Sequence, residues 1–307
     1  MEDRKMLYAK TKLIMLLILT IFVFISSTTS IAKEKVLFEK HYDVKMGETL
    51  FAKMVSADII ISSWDKEEVS VVIEGSEKIN DYYDFDFSYE SGVVKVKSEK
   101  KSDWDIFSFS RGFKLIVSVP SKFKLDLKTS GGDIGIKMVD GTKEIITSGG
   151  DIEVENSKGD LGAITSGGDI SIIKYVGRSV LKTSGGNIVV KELKGGLEAA
   201  TSGGDIEIFS NEGEISAKTS GGDIVLNYDG ENRGIELGTS GGDISILLNP
   251  VFTADVLLKT SGGSIKNNFN NSKMNELTKS KFVGKFNNGG SSLTAKTSGG
   301  SITVDEK

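Results

Sequence analysis

Aspartates recur at one phase of this chain: Asp133, Asp151, Asp169, Asp205, Asp223 and Asp243, with Asn187 in their line and Ser264 and Ser301 closing it. Regularly spaced carboxylates can do one of two things. They can share calcium, a hard cation that takes roughly six to eight oxygen ligands. Or they can accept hydrogen bonds from the N–H groups of the turns that hold them. Each aspartate here follows Ser-Gly-Gly, whereas calcium-binding solenoids use Gly-Gly-x-Gly-x-Asp. No second ligand keeps step with it. The turn role is the expectation, and a calcium-stabilised secreted rod is the alternative.

Other chemistry is short of parts. His41 is the only histidine and there is no cysteine. Cys/His dyads, zinc clusters and Ser-His-Asp triads are incomplete unless His41 itself serves, and it precedes an ordinary strand-like segment. Thr-Ser-Gly-Gly-Asp-Ile lacks the lysine and following helix of a phosphate loop. A carbohydrate-active β-helix enzyme needs acids clustered out of phase on one stretch, and residues 129–265 show no such pair. We therefore expect no catalytic residue, no cofactor and no enzyme activity. The carbohydrate-active enzyme stays as a second reading. The residues suited to binding are aromatic: Tyr82 and Tyr83 in DYYDFDFSYE, and Trp104 and Phe107 in SDWDIFSFSRGF. Such side chains offer an apolar body with, in Tyr and Trp, a polar handle.

The aspartates belong to a longer phrase. Thr-Ser-Gly-Gly begins at Thr129, Thr147, Thr165, Thr183, Thr201, Thr219, Thr239, Thr260 and Thr297. The step is 18 residues five times in succession, then 20, 21 and 37. A fixed period near twenty signals a solenoid or array. Five residues after every threonine stands an isoleucine, from Ile134 to Ile302, and apolar residues recur two positions on either side of these landmarks. Spacing by two, rich in Ile and Val, means strands with one face inward. Eighteen residues cannot hold a strand, a helix and two loops. The prediction is an all-β fold: a parallel β-solenoid with about 18 residues and two short strands per coil, plus an N-terminal antiparallel strand-rich cap.

Within a coil, threonine is expected to end the first strand facing in. Ser-Gly-Gly would turn the corner, with glycine supplying a positive φ. Asp would face out and Ile in. A second glycine recurs at Gly141, Gly159, Gly177, Gly195 and Gly213 and marks the other corner. A lysine often precedes the threonine (Lys128, Lys182, Lys218, Lys259, Lys296) and could offset the aspartate charge. Bare solenoid ends are open sheet edges and need covering. Residues 33–127 read as that cap, with a degenerate first coil in KMVSADIII, where Met54 takes the threonine place and Asp58-Ile59 the Asp-Ile place. Hairpins are expected at Ser91-Gly92 and near Arg111-Gly112. Residues 128–307 read as the repeat solenoid, with a loop insertion near 266–285.

The first residues read as a leader. Arg4, Lys5, Lys10 and Lys12 precede an uncharged apolar run, Leu13 to Ile25, and Ser30-Ile31-Ala32 suits a cleavage site. The expectation is a signal peptide over 1–32, an exported chain in the periplasm, on the cell surface or secreted, and no membrane span after cleavage. An uncleaved N-terminal anchor is the alternative. The formal net charge of −5 argues against nucleic acid as a partner. A glycan, a protein or another envelope component fits better.

A leader, a VSADIII first coil, a strand-rich stretch ending in SVP at 118–120 and nine copies of TSGG, six of them TSGGDI, together resemble the bacterial "putative adhesin" family of exported domains of unknown function. The likeness covers nearly all of 36–307. It implies a parallel β-solenoid at the envelope or beyond, and it carries over no catalytic residue. The function expected is structural or binding work at the bacterial cell envelope, adhesin-like or in sensing envelope state.

Overall fold

The structure is a computed structural model that describes residues 35–101 and 112–307. The chain divides into two compact units, Met1–Lys35 and Val36–Lys307. The first, with the expected leader, lies outside the described residues except for Lys35. The second is a parallel β-solenoid.

Its periodic part is built as two sheets that share one core. In each coil one strand ends at the repeat threonine and the other starts at the repeat isoleucine. Lys143–Ile146 pairs in parallel with Lys124–Thr129 on one side and Leu161–Ile164 on the other. Ile152–Lys158 pairs likewise with Ile134–Lys137 and Ile170–Val176. Partners are one period apart, so Ile152 faces Ile134 and Ile170. Like side chains therefore stack on like. Ile134, Ile152, Ile170, Ile188, Ile206, Ile224, Ile244 and Ile302 are buried, and Ile265 is partly so. Each fully buried isoleucine contributes about 1.5–3 kcal/mol. One coil alone could not enclose that face.

The coil turns differently at its two corners. Gly159 at the second corner sits at φ 118, a conformation open to glycine. The Ser-Gly-Gly glycines do not share it, contrary to the expected positive φ. Their requirement is spatial. A Cβ on Gly186 would lie well under 3.0 Å from the carbonyl oxygen of Gly168 in the coil before. The first glycine of the pair is looser: a Cβ on Gly185 would meet Gly167 O at 3.6 Å, an ordinary contact.

At both ends the chain order and the spatial order part. The Thr297 coil does not lie outermost. Its strand Ser292–Lys296 pairs with Ile235–Gly238 on one side and Ala254–Lys259 on the other. Ile302–Glu306 sits likewise between Ile244–Leu248 and Ile265–Asn267. The Thr260 coil steps outward and the last coil fills the gap behind it. The same happens at the start. Thr49–Met54 lies between Val93–Lys100 and Lys124–Thr129, and Ala57–Trp64 between Phe113–Pro120 and Ile134–Lys137. Met54 faces Thr129 and Ile59 faces Ile134.

Antiparallel strands close the edges. Tyr83–Glu90 pairs with Val93–Lys100 through the expected turn at Ser91-Gly92, where φ is 51 and 74. Glu68–Gly75 pairs with Phe113–Pro120. Of the hairpin expected near Arg111-Gly112, Arg111 lies outside the described residues; the strands on either side, Val93–Lys100 and Phe113–Pro120, belong to different sheets. Where a loop was expected near 266–285, Ser272–Leu277 and Lys281–Phe286 form a hairpin on Ala254–Lys259. Alternation of Phe282, Gly284 and Phe286 buries one side of its inner strand. Aromatic rings plug both ends of the core. Phe38 lies 5.2 Å from Phe85, which meets Phe113 at 5.2 Å. At the far end Phe269 stacks on Phe286 at 4.4 Å.

Candidate binding surfaces

The repeated phrase spends its polar atoms on the neighbouring coil. All nine threonines are buried. The Thr165 hydroxyl donates to Gly150 O at 2.9 Å and lies 3.3 Å from Gly168 N, whose hydrogen it accepts. Thr147, Thr183, Thr201, Thr219, Thr239, Thr260 and Thr297 repeat this bridge. One hydroxyl thus satisfies two buried backbone groups that no strand ladder reaches, a pairing buried polar atoms require.

The aspartate column is a second ladder. Asp133 Oδ1 accepts the Asp151 N–H at 2.8 Å, Asp151 accepts from Asp169 at 2.7 Å, and Asp169 from Asn187 at 2.6 Å. Asn187, Asp205 and Asp223 carry the ladder on to Asp243, which accepts the Ser301 N–H at 2.7 Å. Asp58 begins it by accepting from Asp133. Asn187 fits because an amide oxygen accepts as a carboxylate does. Burial raises the pKa of Asp151, its Asp133 and Asp169 neighbours add to that, and the Asp169 N–H opposes it. No group of three or more potential metal ligands gathers among the described residues. The lysines before the threonines do not reach this column. Lys128 pairs with Asp126 at 3.1 Å, Lys182 with Glu198 at 3.1 Å and Lys218 with Glu236 at 3.0 Å, all on the outer face of the other sheet.

Of the aromatic candidates, Trp104 and Phe107 lie outside the described residues. Tyr83 is buried against Phe113, ring centroids 5.3 Å apart, and burial raises its pKa. Tyr82 is half-buried against the same core. Alternation puts the Tyr83 ring among the end-plug aromatics. His41 is exposed between Glu68 and Glu39, and hydrogen bonds to Glu68 first and Glu39 second raise its pKa.

Two features escaped sequence reasoning. One is a buried polar cluster. Lys143 is fully buried and donates to Gly141 O at 2.9 Å and Lys158 O at 3.0 Å, with its ammonium 5.4 Å from the Tyr175 ring centroid. Burial lowers its pKa to about 8, against an upward pull from Asp140. Burial raises the Tyr175 pKa strongly. The Tyr175 hydroxyl and Ser179 Oγ have no hydrogen-bond partner among the described residues. The signal was a lysine and a serine at a phase otherwise held by Leu125, Leu161 and Leu197. The other is a shallow cavity of about 280 Å³ lined by Asp229, Glu231, Asn232, Asn249, Val251 and Phe252 among others. It forms where the steps of 20 and 21 add residues to two stacked turns. Asn232 ties the turns together by donating to Thr253 O at 3.1 Å and Ser291 O at 2.7 Å.

A two-sheet parallel solenoid with laddered corners and plugged ends defines the class. The chain belongs to the Toastrack DUF4097 family, whose sequence pattern matches residues 48–305. Similar solved structures include a putative adhesin from Parabacteroides merdae, at 16% identity, covering 88% of this chain and 95% of that one with a TM-score of 0.43. A putative adhesin from Bacteroides fragilis aligns at 12% identity over 89% and 97%, TM-score 0.41. A putative lipid binding protein from Parabacteroides distasonis aligns at 16% over 87% and 96%, TM-score 0.34. Among curated proteins nothing matches.

Proposed function

We propose that the protein is an exported, non-catalytic β-solenoid that does structural or binding work at the bacterial cell envelope, adhesin-like or in sensing envelope state. One observation carries the reading. The most repeated polar atoms, the threonine hydroxyls and one aspartate oxygen per coil, are committed to holding coil on coil. The repeat is then a brick, and partners meet the outward side chains of the sheets. The leader-like residues 1–32 and the family support export. No helix among the described residues is long and apolar enough to cross a membrane. Fractionating cells that express the full chain, measuring the mass of the mature form and pulling down partners from envelope fractions tests this. A chain that keeps residues 1–32, stays in the cytoplasm and recovers no envelope component would overturn it.

A further inference from the structure

The outer face of one sheet carries a line of lysines on a protein whose net charge is negative. Directly before the repeat threonine, and at the matching place on the end strands, stand Lys97, Lys53, Lys128, Ile146, Ile164, Lys182, Ala200, Lys218, Gly238, Lys296, Lys259 and Lys281. They are in register from strand to strand. No acid interrupts the line. Asp86, opposite Lys97 on the outermost strand, ends it.

Two features mark the line as more than solvated surface. Lys97, Lys53 and Lys128 face one another directly across three strands, as do Lys296, Lys259 and Lys281. Like charges directly opposite are destabilising in a sheet, so the members of these triplets without an acid, Lys53 against Lys97 and Lys259 against Lys296, cost stability. The charge is also spent unevenly. Lys128, Lys182 and Lys218 are paired with Asp126, Glu198 and Glu236, each acid two residues before a place on the line, and Lys281 is paired with Glu276 at 2.7 Å. Lys97 and Lys53 at one end, and Lys296 and Lys259 at the other, make no ion pair among the described residues. Beside them stand Lys95, Phe51, Thr294 and Leu257, none of them acidic.

We propose that this line binds a linear acidic polysaccharide, a chain carrying carboxylates along its length, anchored at the two unpaired lysine ends. The proposal deepens the envelope-binding reading and rests on it. The shape of the surface selects the occupant. Asp126, Glu144, Glu198 and Glu236 flank the lysines on one side, so a broad anionic membrane or a nucleic-acid duplex would lie across those acids. A thread one sugar wide avoids them. On the other side the exposed repeat serines, Ser130 to Ser298, stand at the corner, where hydroxyls suit a sugar chain. Lys53 and Lys296 are eight strand spacings apart, roughly 40 Å. A ligand must exceed that length to hold both ends. One that does gains the second contact intramolecularly.

The test uses the full chain with long alginate, alginate oligomers much shorter than about 40 Å, neutral dextran, and phosphatidylglycerol vesicles. Long alginate is expected to bind at least about tenfold tighter than the oligomers, and dextran not at all. Lys53→Gln with Lys97→Gln, or Lys259→Gln with Lys296→Gln, should each reduce long alginate to oligomer affinity. Lys174→Gln with Lys194→Gln, which removes the same charge away from the line, should change it less than about twofold. The line variants should melt no lower than the parent, since they relieve repulsion. Equal loss in the control variant, no dependence on length, tighter binding to vesicles, or a lowered Tm in the line variants would overturn the proposal. If alginate fails while envelope pulldown still recovers a partner, this inference falls and the wider reading stands. If the chain is not exported, the wider reading falls whatever alginate does.

Discussion

The middle coils and the two ends of this solenoid solve the same problem by opposite means. In the middle, from Thr147 to Thr219, each coil is covered by a copy of itself. The identical phrase supplies identical ladders, and chain order equals spatial order. At the ends no copy remains to cover the last face. There the chain steps outward, returns to fill the gap, lays antiparallel strands along the edge and inserts aromatic rings into the core mouth. Repetition is enough where every neighbour is alike. Termination needs unlike sequence, which is why the period breaks only toward the ends.

The sharpest test of the middle is a single methyl group. Gly186→Ala places a Cβ against Gly168 O, where neither backbone can yield without parting the coils. We expect a loss above about 4 kcal/mol in urea unfolding, or no folding. Gly185→Ala, one residue away, should change stability by no more than about 0.5 kcal/mol. Equal effects would show that the coils are not held by close backbone stacking. At the end, Phe286→Ala should cost about 3–5 kcal/mol. It should speed amide exchange over 254–307 and leave 134–200 protected. Uniform exchange would mean that the plug does not hold the end separately.

Lys143 probes the middle through pH. Its folded pKa, about 8, lies below the unfolded value of 10.5. Below pH 8 both states are protonated and the penalty of burying the charge is fully present. Between 8 and 10.5 the unfolded chain binds more protons, so stability rises with pH, by about 3 kcal/mol in all. Lys143→Met should abolish that rise, read as the difference between the two pH profiles, and be at least as stable at pH 7. A profile unchanged by the substitution would refute the buried charge. Smaller still, Thr165→Val strands the Gly150 carbonyl and Gly168 N–H and should cost about 1–3 kcal/mol. Asp169→Asn keeps the accepting oxygen, as Asn187 does, and should stay within about 0.5 kcal/mol. Millimolar calcium against EDTA should leave the Tm of either protein unchanged. A rise with calcium would favour the alternative of a metal-stabilised rod.

Much of this was legible before any coordinates. The step of 18 marked the coil, alternation marked the inward isoleucines and threonines, and KMVSADIII carried the register in which Met54 meets Thr129 and Ile59 meets Ile134. What misled was local reasoning about glycine and lysine. Ser-Gly-Gly looks like a turn that needs positive φ, yet the second glycine is required by a carbonyl one coil away. The lysines before the threonines look able to neutralise the aspartates, yet the corner points them onto another face. Tyr83 read as a binding aromatic and faces the core, because alternation in Tyr83–Glu90 puts it on the buried side.

By itself the sequence determined the winding. An eighteen-residue rhythm of side chains that must be buried on one face admits few backbones other than a stack, because burial and strand pairing are satisfied together only when like lies on like. Only the tertiary structure decided which coil lies next to which at the ends, and with it the full lysine line. Every repeat offers the same strand edge to every other, so pairing energy alone cannot rank neighbours. The order is set by side chains from the cap and hairpin, which meet the repeats only after the chain has folded back.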